Sequence, residues 1–111
     1  RVADLEFATT PQGLEATVLS SQLRVERPDL ERQLVDAVRK QARNSLDLEP
    51  ACHRFDVRLS GRHVFLYELY DDAAAFDLHL ASHHFKSFDA AVADMITEKT
   101  VRTYSDVTVG T

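Results

Sequence analysis

Between residues 16 and 26 apolar and polar positions alternate. Thr17, Leu19, Ser21, Leu23 and Val25 fall on one face, and this period of two predicts a strand. Arg27-Pro28-Asp29 ends the alternation, and proline followed by aspartate suits the first turn of a helix. Leu30, Leu34, Val38, Ala42 and Ser45 then recur every three or four residues, with Val35 and Leu46 widening the stripe. That spacing predicts one amphipathic helix over 29–47. Pro50 disfavours helix at Glu49 and sets its end.

Two further alternating runs follow. Over 51–59, His53, Phe55, Val57 and Leu59 oppose Arg54, Asp56 and Arg58. Residues 63–70 are almost continuously apolar and aromatic, and Ser60-Gly61-Arg62 between the runs predicts a hairpin. Asp71-Asp72 offers a cap for a helix over 73–81. Ser82 offers another for a helix over 84–98, where Phe85, Phe88, Val92 and Met95 keep a spacing of three or four. Residues 100–109 alternate again, through Val101, Thr103, Ser105, Val107 and Val109. Residues 1–15 keep no period, and Pro11 and Gly13 mark a turn in them. They read as an N-terminal extension to one domain over 16–111.

The order strand, helix, strand, strand, helix pair, strand predicts an α+β fold. Its expected form is ferredoxin-like: a four-stranded antiparallel sheet with helices on one face. With the helices on one side, Val64, Leu66 and Tyr70 are expected to line the uncovered side. A contiguous apolar patch of that kind predicts a homodimer through the sheet face.

Composition narrows the function. At 111 residues and 44% apolar, the chain is long enough for one core. No apolar run is long enough for a membrane helix, and no signal-peptide pattern stands at the front. A net charge of −5 argues against a phosphate-backbone partner, so no nucleic acid is expected. Cys52 is the only cysteine, which excludes an internal disulfide and a thiolate zinc cage, and fits a cytoplasmic location.

Five histidines stand out, at 53, 63, 79, 83 and 84. His79 and His83 have the spacing of two metal ligands on one helix face, but Ser82 interrupts that helix and the spacing implies no third ligand. No metal site is therefore expected. Glu68 is the anomaly of the third strand: a carboxylate between Tyr67 and Leu69 is costly to bury unless paired. Its natural partner is an imidazole, and a Glu–His pair is suited to proton transfer near neutral pH.

The stretch from Leu46 to Phe88 resembles the antibiotic biosynthesis monooxygenase family, which includes quinol monooxygenases and autoinducer-2-degrading enzymes. The resemblance rests on Ser45…Glu49-Pro50-Ala51-Cys52…Phe55-Asp56-Val57, on Phe65…Tyr67-Glu68-Leu69-Tyr70-Asp71-Asp72…Ala75, and on His79…His83-His84-Phe85. It extends loosely over 16–109. Ala51 departs from the family's usual glycine and His83 from its frequent proline.

The resemblance implies a dimeric α+β barrel with one pocket per protomer. It further implies oxidation of a small phenol or hydroquinone by molecular oxygen, without flavin, haem or metal. It makes His79 and His84 the acid–base candidates and Glu68 their orienting carboxylate. Asn44, Phe55, Phe65, Tyr67 and Phe85 become the expected substrate contacts. Two alternatives keep the fold. One is isomerisation or degradation of a small phosphorylated carbonyl compound, which needs similar His–Glu equipment. The other is a non-catalytic dimeric ligand-binding module. Haem degradation is disfavoured because the chain has no tryptophan.

Overall fold

A computed structural model describes residues 16–105 and 107. The expected extension over 1–15, and Val109 of the expected last strand, lie outside the described residues.

β1 (Thr17–Arg24) leads into α1 (Pro28–Leu48), then β2 (Cys52–Ser60) and β3 (His63–Tyr70). α2 (Ala73–Ala81) and α3 (His83–Val92) follow, and β4 (Glu98–Tyr104) closes the sheet. The spatial order is β2-β3-β1-β4, with every neighbouring pair antiparallel. This is the expected α+β, ferredoxin-like arrangement. No helix among the described residues is long and apolar enough to cross a membrane.

Local chemistry explains the boundaries. Pro28 occupies the first helical turn of α1, while Asp29 pairs with the Arg27 guanidinium at 2.7 Å instead of capping the helix. Gly61, at φ +59°, makes the sharp β2–β3 turn in the left-handed region that glycine enters freely. Asp72 caps α2 by accepting from the Ala75 amide at 2.8 Å. Ser82 caps α3 by accepting from the Phe85 amide at 3.2 Å.

The expected helix over 84–98 ends at Val92. The Thr97 amide donates to the Arg24 carbonyl at 2.8 Å, and Glu98 pairs with Arg24, so the chain must leave the helix to begin β4 there. Met95 and Ile96 still pack on the core, which is why the apolar spacing runs past the helix end.

The structure corrects the expected sheet face. Val64, Leu66 and Tyr70 lie opposite Leu23, Ser21 and Thr17 across the ladder and share their side. That side is packed under the helices with Leu34, Val35 and Val38. All three residues are core, so they cannot form the exposed patch. The alternate set, Phe65, Tyr67 and Leu69, shares the opposite face with Gln22, Ser20 and Val18. A groove of about 580 Å³ runs there between Val18, Phe65, Tyr67, Tyr104 and Val107.

Candidate functional site

Among the described residues a concentrated polar island lies in the core where three helix ends meet β3. Glu49 caps the C-terminal end of α1, and its carboxylate reaches two imidazoles at once. His79 Nδ1 lies 2.8 Å and His84 Nε2 2.5 Å from Glu49 Oε2. An ionised carboxylate only accepts, so each of these ring nitrogens is the donor. With its proton on Nδ1, a neutral His79 keeps the Nε2 lone pair as its basic site.

His79 is 2% exposed. Phe55, Tyr70, Phe76 and Phe85 surround its ring, with centroids 5.1–6.4 Å away, and Phe76 stacks on it at 20°. Burial holds the His79 pKa below its ordinary value, against the opposing pull of Glu49. His84 crosses the His79 ring at 64°. Ser82 fixes that junction, its hydroxyl donating to the His79 carbonyl at 2.6 Å while capping α3.

Glu68 points into the same region from β3. Its Oε1 accepts from the Tyr70 hydroxyl at 2.6 Å and stands 3.9 Å from His79 Nε2, beyond hydrogen-bond reach. Burial pushes its pKa up to about 7, with the Tyr70 hydrogen bond pulling the other way and Glu49 adding to the rise. Tyr70 is pushed well above its ordinary value, first by burial and then by Glu68.

The structure thus brings together His79, His84, Glu68, Phe55 and Phe85. It does not bring in Phe65 and Tyr67, which point to the opposite sheet face because they alternate with Leu66 and Glu68. Asn44 is half-buried on α1 and hydrogen-bonds none of the group. His83 is exposed beside Ser87, so the His79/His83 spacing does not produce a ligand pair.

Sequence reasoning missed Glu49, Tyr70 and Phe76. Glu49 carried a signal. An acid at the negative end of a helix dipole is electrostatically out of place and calls for a cationic or donor partner.

Beside this cage lies an apolar cleft of about 100 Å³, lined by Leu19, Leu66, Phe76, Phe88, Ile96 and Val101 among others. Phe76 belongs to both the cleft and the His79 cage.

A family model described as antibiotic biosynthesis monooxygenase matches residues 22–91, more than half of the chain. No curated protein matches it. Solved structures share the fold. A conserved protein from Methanosarcina mazei has a TM-score of 0.78 at 18% identity, covering 86% of this chain and 97% of that one. A provisionally assigned antibiotic biosynthesis monooxygenase from Nitrosomonas europaea has a TM-score of 0.75 at 24% identity, covering 82% and 89%. Another from Caulobacter crescentus has a TM-score of 0.78 at 18% identity, covering 85% and 92%.

Proposed function

Because this chain belongs to the antibiotic biosynthesis monooxygenase family, we propose that it oxidises a small phenol or hydroquinone with molecular oxygen, needing no bound cofactor. The observation that carries this reading is the His79 Nε2 lone pair, left free by the Nδ1–Glu49 hydrogen bond and facing Glu68 across 3.9 Å. A hydroxyl oxygen seated beside that gap can lie about 2.8 Å from both groups. His79 takes its proton, and the phenolate that results is electron-rich enough to reduce oxygen.

For a simple phenol, oxygen enters at the ring carbon para to the hydroxyl. One oxygen atom becomes the new carbonyl and the other leaves as water, giving a quinone. All four electrons come from the ring, so no external reductant is required. The chain's own contribution is a dry aromatic cage, a positioned base and a hydrogen-bond donor for the developing charge.

In this reading His79 is the base, and Glu49 positions its ring and holds its tautomer. His84 donates to the same Glu49 oxygen and holds that carboxylate in place, and Glu68, whose pKa burial raises to about 7, donates in its protonated form to the developing phenolate. Phe55 and Phe85 form the walls. The substrate ring enters through the neighbouring cleft, where Phe76 is the shared wall. A second copy of the chain covers the open sheet face through Phe65, Tyr67 and Tyr104.

Oxygen uptake with a panel of phenols and hydroquinones tests the reaction. Uptake by the metal-free, flavin-free protein supports it. Absence of uptake together with turnover of a keto-sugar phosphate replaces it with isomerisation. Binding of the panel without consumption of any member replaces it with a ligand-binding module.

A further inference from the structure

We propose that Glu49, His79 and His84 also form a site for a divalent d-block cation, best matched by zinc, and that the metal silences the base. One carboxylate oxygen and two imidazole nitrogens, all within 4.8 Å of one another, already converge. Zinc readily takes this donor set, in the three-ligand form that leaves its fourth position to water.

The ligands come from three separate elements, and the Ser82 hydrogen bonds fix the angle between two of them. Rigid convergence of this kind reduces the ordering that metal binding must impose. The separations of 2.5 and 2.8 Å are hydrogen-bond lengths. Tetrahedral bonds of about 2.0–2.1 Å need donors roughly 3.3 Å apart. Retreat of the Glu49 carboxylate by roughly 0.5 Å from His79 and roughly 0.8 Å from His84 provides this, and a glutamate side chain has the torsions to do so. Glu68 stands 3.9 Å from the far nitrogen of His79, and an approach of about 1 Å would let it receive that N–H, the arrangement that commonly supports a metal-bound histidine.

The consequence for the base follows from proton bookkeeping. A metal on Nδ1 displaces the proton that Glu49 holds there. The neutral ring then carries its hydrogen on Nε2, and the lone pair that would accept the substrate proton is gone. The metal site itself stands independently of the oxidation reading, whereas the silencing rests on it.

Calorimetric titration of the chelator-treated protein with zinc chloride tests the site without any substrate. The expected result is one zinc per chain with a micromolar or tighter Kd. Glu49→Gln and His84→Ala should each weaken it by about tenfold or more, while the exposed His83→Ala should leave it unchanged. Circular dichroism checks that each variant is folded. Cobalt substitution adds a spectroscopic readout, with intense visible bands expected from a four-coordinate site. Failure of wild type to bind, or equal binding by folded Glu49→Gln and His84→Ala, overturns the site. Zinc bound at these residues with oxygen uptake undiminished overturns the silencing. Absence of uptake by the metal-free protein defeats the oxidation reading and leaves the zinc titration to stand on its own.

Discussion

At the residue scale, the proposed chemistry turns on which nitrogen of His79 holds the proton. Glu49 settles this by accepting from Nδ1 at 2.8 Å, so truncating either partner should be felt in catalysis before it is felt in folding. His79→Ala should lower turnover by about 100-fold or more while the protein stays folded, read by oxygen uptake against circular dichroism. Tyr70→Phe removes the only hydrogen bond to the buried Glu68 carboxylate among the described residues. It should cost about 1–3 kcal/mol in a urea melt, because a buried acceptor is left unpaired. A melt indistinguishable from wild type would mean that the Tyr70–Glu68 bond is not formed.

Glu68 was legible from sequence because a charge inside an apolar run is conspicuous. Glu49 was harder to read, because its place at the negative end of a helix calls for a partner without naming one, and an acid there is usually solvated. Only the fold reveals that two imidazoles converge on it. Phe76 was equally hidden, since a helix of nine residues with apolar side chains all round does not say which ring faces inward.

At the scale of elements, α1 supplies most of the helix layer's buried surface through Leu34, Val35, Val38 and Ala42. Leu34 is fully buried, so Leu34→Ala should destabilise the fold by about 2–5 kcal/mol in chemical denaturation. The same face carries a liability. Both side-chain polar atoms of Gln41 and the Ser45 hydroxyl are buried without partners. Gln41→Leu should therefore raise stability, by about 1 kcal/mol or more, because an orphaned amide is costly to bury. A fall in the melting midpoint would show that Gln41 is satisfied in solution.

Element existence and order could be read from periodicity and punctuation. The facing of β3 could not. A strand apolar on both faces fits its pattern in either register, and a one-residue slip exchanges the faces. The pairing of Leu23 with Val64 and of Leu19 with Glu68 decides the matter, and it also sends Glu68 to the histidines. The helix over 84–98 was overextended for a related reason: core-facing residues continue through a turn that is not helical.

At the scale of the whole molecule, one sheet face is sealed by helices and the other carries Val18, Phe65, Tyr67 and Leu69. A second copy covering that groove should appear as a dimer in sedimentation velocity at micromolar concentration. Tyr67→Lys should shift it toward monomer by placing a charge in the apolar interface. A wild-type monomer across that range would remove the dimer from the account.

The central claim is that this chain's own His–Glu cluster lets an aromatic substrate reduce oxygen directly. Mass spectrometry of the product formed under isotopically labelled oxygen tests it most directly, using chelator-treated protein and a phenol it consumes. The proposed oxidation puts one labelled oxygen atom in the quinone product, and that product should be lost in His79→Ala. Product without label, or labelled product formed equally fast by His79→Ala, would contradict it.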